Sequence, residues 1–183
     1  MMRNLYLYIN YKNDFNICCD YKDIYCFKDK LICIDKNIYN KSKRYELQKE
    51  LSVKPYFVSQ DTFKEMLYAL INNKVNFKIK DIEFIDESIR EEIEYYELES
   101  IIKKNWCINK KLEENKDLNK KLYRNILNII EEFDTEIKSI KFIYSKMDIE
   151  ITNKGVLNFN SGDELLNNLV TDSILNKMLL GII

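Results

Sequence analysis

The chain has 183 residues, 46% of them hydrophobic and 32% charged, a composition that supports a packed core and excludes a disordered tail. That length suits one domain, 1–183, with a β-rich part over 1–84 and a helical hairpin, β-hairpin and final helix over 85–183. Twenty-nine Lys and Arg against thirty Asp and Glu leave a net charge of −1, so no global field draws the chain onto nucleic acid or an anionic membrane.

In chain order, residues 4–10 alternate Leu5, Leu7 and Ile9 against Tyr6 and Tyr8, the period of a strand. Short strands follow over 15–19, 24–27 and 31–34, and the Asp29-Lys30 pair is placed to turn between the last two. Residues 41–51 form a short helix that ends before Lys54-Pro55, because a residue preceding proline avoids the α region. Ser59 or Asp61 caps a helix to about Ile71 with Phe63, Met66, Leu67 and Leu70 on one face, and a strand over 75–84 follows. Asp86 or Ser88 starts a helix running to about Trp106, with Ser88 and Glu91 spaced as a capping box. A second helix over 110–133 keeps Leu122, Ile126, Ile129 and Ile130 at helical spacing, so the two read as an αα-hairpin. Strands over 137–144, 147–151 and 156–159 come next, with Asn153-Lys154-Gly155 as the hairpin turn. Ser161 and Glu164 then cap an apolar helix over 162–180, expected as a core helix and as the surface of any homodimer. The fold class is therefore α+β: an N-terminal antiparallel β-meander, a central αα-hairpin, and a C-terminal β-hairpin followed by an apolar core helix.

Met1–Asn10 lacks the apolar stretch of a signal peptide, and no run of about 20 apolar residues spans a bilayer; the expected location is cytoplasmic. The five cysteines (Cys18, Cys19, Cys26, Cys33 and Cys107) are an odd number, which predicts reduced thiols in such a compartment. Cys19, Cys26 and Cys33 recur at seven-residue steps but form no CxxC knuckle, so they read as small buried hydrophobes on strands and not as metal ligands.

Absent residues exclude much chemistry. Without histidine there is no Ser-His-Asp or Cys-His catalysis and no HExxH zinc site. Three glycines, Gly155, Gly162 and Gly181, build neither a P-loop nor a dinucleotide fingerprint. Carboxylate chemistry with a divalent metal remains: Asp81 with Glu83, and Asp148 with Glu150, each share one face of a strand. Glu136-Ile137-Lys138 has the ExK spacing seen on a strand of certain metal-dependent nucleases, and Cys107 lies among Lys103, Lys104, Lys110 and Lys111. In a chain one-third charged such patterns arise readily as the wet face of a sheet, so neither a catalytic residue nor a metal or cofactor is expected.

Charge is unevenly laid out. Residues 1–80 hold fifteen Lys and Arg against nine Asp and Glu, a net of +6. Residues 81–99 hold nine acids against Arg90 alone, a net of −8. Like charges at i,i+4, such as Glu87 and Glu91, cost a helix a few tenths of a kcal/mol each, so this density calls for an explanation. The expectation is a non-enzymatic protein-binding module that sets Asp86, Glu87, Glu91, Glu92, Glu94, Glu97 and Glu99 against a basic partner surface. Such a partner is a nucleic-acid enzyme or a toxin, and the chain is its inhibitor or immunity protein. Direct binding of single-stranded nucleic acid ranks below this; it would use Lys41, Lys43, Arg44, Lys49 and Lys54 with Tyr39, Tyr45 and Tyr56. A metal-dependent hydrolase using Asp81, Glu83, Asp148 and Glu150 is the third reading.

Overall fold

A computed structural model describes residues 2–11, 24–26, 31–36, 40–72, 78–107, 112–144 and 147–160. Its first strand, β1 (Met2–Asn10), is apolar on both faces. Leu5 and Leu7 enter the main core, while Tyr8 on the other side belongs to a second, smaller one. Its two edges are paired as well, so β1 is an interior strand. It pairs antiparallel with β3 (Leu31–Asp35) on one side, and on the other with β8 (Val156–Asn160) and then β4 (Val53–Pro55).

The remaining strands are β2 (Ile24–Cys26), β5 (Lys78–Phe84), β6 (Ile137–Tyr144) and β7 (Met147–Thr152). The described strands form one antiparallel sheet ordered β2-β3-β1-β8-β7-β6-β5, with β4 attached to β1. The N-terminal strands are thus antiparallel, as expected, but do not follow chain order: β1 has the paired β2 and β3 on one side and β8 on the other. Every residue of β3 is buried for the same two-sided reason, Leu31 and Cys33 facing the main core and Ile32 and Ile34 the second.

Helices α2 (Gln60–Asn72), α3 (Ile93–Cys107) and α4 (Leu112–Glu132) cover one face. Phe63, Met66 and Leu67 of α2, Leu98 and Ile101 of α3, and Leu122, Ile126 and Ile129 of α4 are buried in the main core with Ile140, Phe142 and Ile149 of the sheet. Full burial of each such side chain is worth about 1.5–3 kcal/mol. Gln60 fixes where α2 starts relative to β6: its amide nitrogen donates to the Ile137 carbonyl (3.0 Å) and its amide oxygen accepts from the Ile137 N–H (2.8 Å). The short helix α1 (Lys41–Glu50) lies over the opposite face, burying Leu47 with Leu51 and Val53 against Tyr8, Ile32 and Ile34. No helix among the described residues is long and apolar enough to cross a membrane.

The helix expected from Asp86 or Ser88 onward is divided. A 3-10 helix spans Glu87–Glu91, Glu92 is extended (φ −86°, ψ 152°), and α3 begins at Ile93. The Ser88/Glu91 capping box does not form there, because Asp86 is the cap. Its carboxylate accepts from the Ser88 backbone N–H (2.9 Å) and from the Ser88 hydroxyl (2.7 Å). Among the cysteines, Cys33 is a buried free thiol, and burial pushes its pKa well up. Cys26 is disulfide-bonded, so the thiols are not uniformly reduced; an odd cysteine count requires only that one be left over. The strand expected over 15–19, the Asp29-Lys30 turn and the C-terminal helix with its homodimer surface lie outside the described residues.

The β7–β8 hairpin turns at Gly155 (φ 68°), where the chain crosses the segment after β4. Leu7 donates to the Gly155 carbonyl (2.8 Å) and Tyr56 donates to the Leu7 carbonyl (3.0 Å), so three segments meet backbone to backbone. A Cβ at Gly155 would collide with the Tyr56 carbonyl. Gly155→Ala is expected to destabilise the chain by about 2 kcal/mol or more. For a chain of this size that lowers the thermal midpoint by roughly 4–8 °C. An unchanged midpoint would contradict this close approach.

Candidate functional site

Sheet register gathers carboxylates that the sequence only pairs. Asp81 of β5 lies opposite Lys141 of β6, Lys141 opposite Glu150 of β7, Glu150 opposite Asn158 of β8, and Asn158 opposite Asn4 of β1. A polar row therefore crosses five strands on the face away from α2–α4. Lys141 Nζ is its centre, 2.8 Å from Glu83 Oε1, 3.5 Å from Asp81 Oδ2 and 3.6 Å from Glu150 Oε1. Glu150 also accepts from the Asn158 amide (2.8 Å) and the Ser139 hydroxyl (3.3 Å), and Arg90 stands 3.4 Å from Glu83.

The hydrogen bond from Lys141 holds the Glu83 carboxyl below its ordinary value; burial opposes this, and the charges of Lys141, Arg90 and Lys138 add to the lowering. For Lys141 burial works to lower the pKa, but the bond to Glu83 and the charges of Glu83, Glu150 and Asp81 outweigh it and hold the ammonium above its ordinary value. Of the four carboxylates in the hydrolase reading, three thus surround one lysine, while Asp148 pairs with Lys80 at 3.0 Å. Among the described residues no group of three His, Cys, Asp or Glu is arranged to hold a metal ion. Glu136 is exposed and stays outside this row, and Lys138 of the ExK spacing pairs with Glu87 at 3.0 Å.

The acidic stretch is sorted by the fold into two kinds of residue. Asp86 caps the 3-10 helix, with Ser88 holding its carboxyl below the ordinary range. Glu87 pairs with Lys138, and Glu99 pairs with Lys103 one turn on (2.7 Å). Glu91, Glu92, Glu94 and Glu97 form no ion pair with any described residue, and Glu91, Glu92 and Glu97 are exposed. Between them the outer face of α3 presents Ile93, 72% exposed, and Tyr96, 60% exposed. The pair at i,i+3 is on one face because Tyr95, Leu98, Ile101 and Ile102 take the other into the core. The sequence reading missed this apolar pair. The signal was available: once 95, 98 and 102 are assigned to the core, 93 and 96 have to face outward at 3.6 residues per turn.

The basic residues of the first third are placed on and beside α1. Arg44 lies 4.6 Å over the Tyr6 ring, and Lys49 lies 4.6 Å over the Tyr45 ring. Lys43 donates its backbone N–H to the capping Asn40 side chain (2.9 Å), Lys54 is exposed on β4, and Tyr39 lies outside the described residues. The side chain of Cys107 is likewise outside what is described.

Comparison with protein-family models, with curated proteins and with solved structures gives no match, so the functional argument rests on this geometry.

Replacing Lys141 by Met leaves three neighbouring carboxylates without their shared cation. With side chains a fifth to a third exposed, solvent screens part of the loss, and a cost of about 1–2 kcal/mol at neutral pH is expected in urea unfolding. The pH dependence has a fixed sign. Because the folded Glu83 pKa is depressed, its contribution is complete above the ordinary value of 4.5 and is lost as pH falls through the lower folded value. The Lys141 contribution is complete below 10.5 and is lost as pH rises through its raised folded value. Lys141→Met should therefore weaken the loss of stability at both extremes; an unchanged pH profile would mean the row does not couple to folding.

Proposed function

We propose that the chain is a non-enzymatic protein-binding module whose contact surface is the outer face of the 3-10 helix and α3. One observation carries this reading: Ile93 and Tyr96 stand exposed among glutamates that have no ion-pair partner among the described residues. An apolar anchor ringed by charge is the arrangement in which a few desolvated side chains carry most of the binding energy. The surrounding charge then sets partner choice and the rate of encounter.

The partner chemistry follows from that charge. Glu91, Glu92, Glu94 and Glu97 make the complementary surface basic, and the nucleic-acid channel of an enzyme or the active face of a toxin that acts on nucleic acid has that character. Occupying such a surface blocks it, which makes the chain an inhibitor or immunity protein. The site is narrower than the acidic run as a whole. Glu91, Glu92, Glu94 and Glu97 with Ile93 and Tyr96 form the contact, whereas Asp86, Glu87 and Glu99 are engaged in capping and internal pairs.

Affinity capture from the native host at low and at moderate salt tests this, using the wild type and two variants. Glu91→Lys/Glu92→Lys/Glu97→Lys should abolish recovery of a salt-sensitive protein partner. Ile93→Ala/Tyr96→Ala should reduce its affinity by about 2 kcal/mol or more, roughly 30-fold. Neither variant touches the core, so thermal midpoints should stay close to wild type. A partner retained at wild-type affinity by both variants would remove this surface as the contact.

A further inference from the structure

The surface around α1 has the opposite character. Between α1 and the segment that follows β4 lies an open cleft of about 730 Å³. Tyr6 and Tyr8 of β1 contribute to its lining, with Tyr45 on the α1 side and Phe57 across from the helix. Lys41, Arg44 and Lys154 supply its charge, and among the described residues no carboxylate lines it.

Its rings are already arranged to receive a flat, anionic group. The Arg44 guanidinium is stacked 4.6 Å over Tyr6, and Lys49 lies 4.6 Å over Tyr45, so two aromatic surfaces carry fixed positive charge. Tyr8 is fixed from below: Gln48 Nε2 donates to its hydroxyl (3.4 Å), and burial raises its pKa, so it stays neutral. Tyr45 and Phe57 are 59% and 67% exposed, leaving two ring faces without apolar cover. Phe57 is nonetheless held in place. Its neighbours are tied down by the bonds from Tyr56 to Leu7 (3.0 Å) and from Val58 to Asn153 (3.1 Å). The backbone that carries this ring is therefore preorganised, and its ordering cost is met in folding and not on binding.

We propose that this cleft binds a nucleobase–phosphate unit: the base stacks on Tyr45 and Phe57, and the phosphate is met by Lys41, Arg44 and Lys154. Aromatic rings interleaved with cations, with little hydrogen-bond readout, suit any base, so recognition is by stacking and charge and not by sequence. The near-zero total charge of the chain does not oppose this. The unpaired glutamates are on and beside α3, at the β5 edge of the sheet, and Asp81, Glu83 and Glu150 on the cleft's own face are paired with Lys141. At physiological salt charges are screened beyond about 8 Å. The inference is independent of the protein-binding reading, since it uses none of the residues of the acidic face. The same chemistry comes from a free nucleotide or from a single strand, and the test separates them.

A fluorescent oligothymidylate strand and AMP are titrated into the full chain at several salt concentrations. Tighter binding of the strand with a steep salt slope identifies a single-strand site; AMP binding as tight as the strand identifies a nucleotide site, and either supports the proposal. Tyr45→Ala/Phe57→Ala should then weaken binding by about ten-fold or more while leaving the thermal midpoint unchanged, since both rings are exposed. Lys41→Gln/Lys154→Gln should lower the strand's log–log salt slope by about 1.4, near 0.7 for each cation removed. No binding of either probe, undiminished affinity after loss of both rings, or equal competition by oligoglutamate would overturn it.

Discussion

The two-sided burial of β1 is the constraint on which the rest of the molecule depends. Leu5 and Leu7 bind one face to the main core, and Tyr8 binds the other to the small core under α1. The edges of β1 are paired with β3 on one side and with β8 and β4 on the other, which joins the first and last described strands in one sheet. From there the sheet steps through β8, β7 and β6 to its edge at β5. At about 4.8 Å per strand, four steps put the β5 edge roughly 19 Å from β1. At that edge α3 lies on the face of α2–α4 while the 3-10 helix reaches round to Glu83 and Lys138, and the cleft beside α1 is on the opposite face over β1. This separation lets a chain with near-zero net charge keep two surfaces of opposite sign without one cancelling the other.

Within the acidic stretch, the fold separates charge used for architecture from charge left over. Asp86 closes the start of the 3-10 helix, Glu87 reaches back to β6 through Lys138, and Glu99 pairs along its own helix. Glu94, in the first turn of α3, also gains from the helix dipole. Glu92, at the start of α3, shares that gain, whereas Glu91 and Glu97 have no such role, and all of them flank exposed Ile93 and Tyr96. Self-repulsion beside exposed apolar area lowers stability on both counts. That departure from what stability favours is the feature on which the proposed contact rests.

Much of the local structure was legible in the sequence because it depends on neighbouring residues. Period-two alternation located β1 and the β6–β7–β8 strands, helical spacing found the buried faces of α2 and α4, and Ser59 caps α2 through a bond from the Thr62 N–H (3.1 Å). What depends on residues far apart was not legible. Strand order is set by pairings between residues far apart in the chain, such as Leu5 with both Asp35 and Leu157. The Asp81–Lys141–Glu150 row needs the register of three strands, and the Gln60 clasp joins residues 77 positions apart. Similarly, Tyr6 and Arg44 meet only because α1 folds over β1. The acidic site was visible as composition, but its division into paired and unpaired glutamates required the positions of Lys138 and Lys103.

The central claim, that the outer face of α3 is a protein contact, is tested most directly by hydrogen exchange of the chain alone and bound to its captured partner. The account predicts that new protection is concentrated over residues 87–100, with α1 and β4 exchanging as in the free chain. Protection confined to α1 and the segment after β4, or no change over 87–100 at saturating partner, would contradict it.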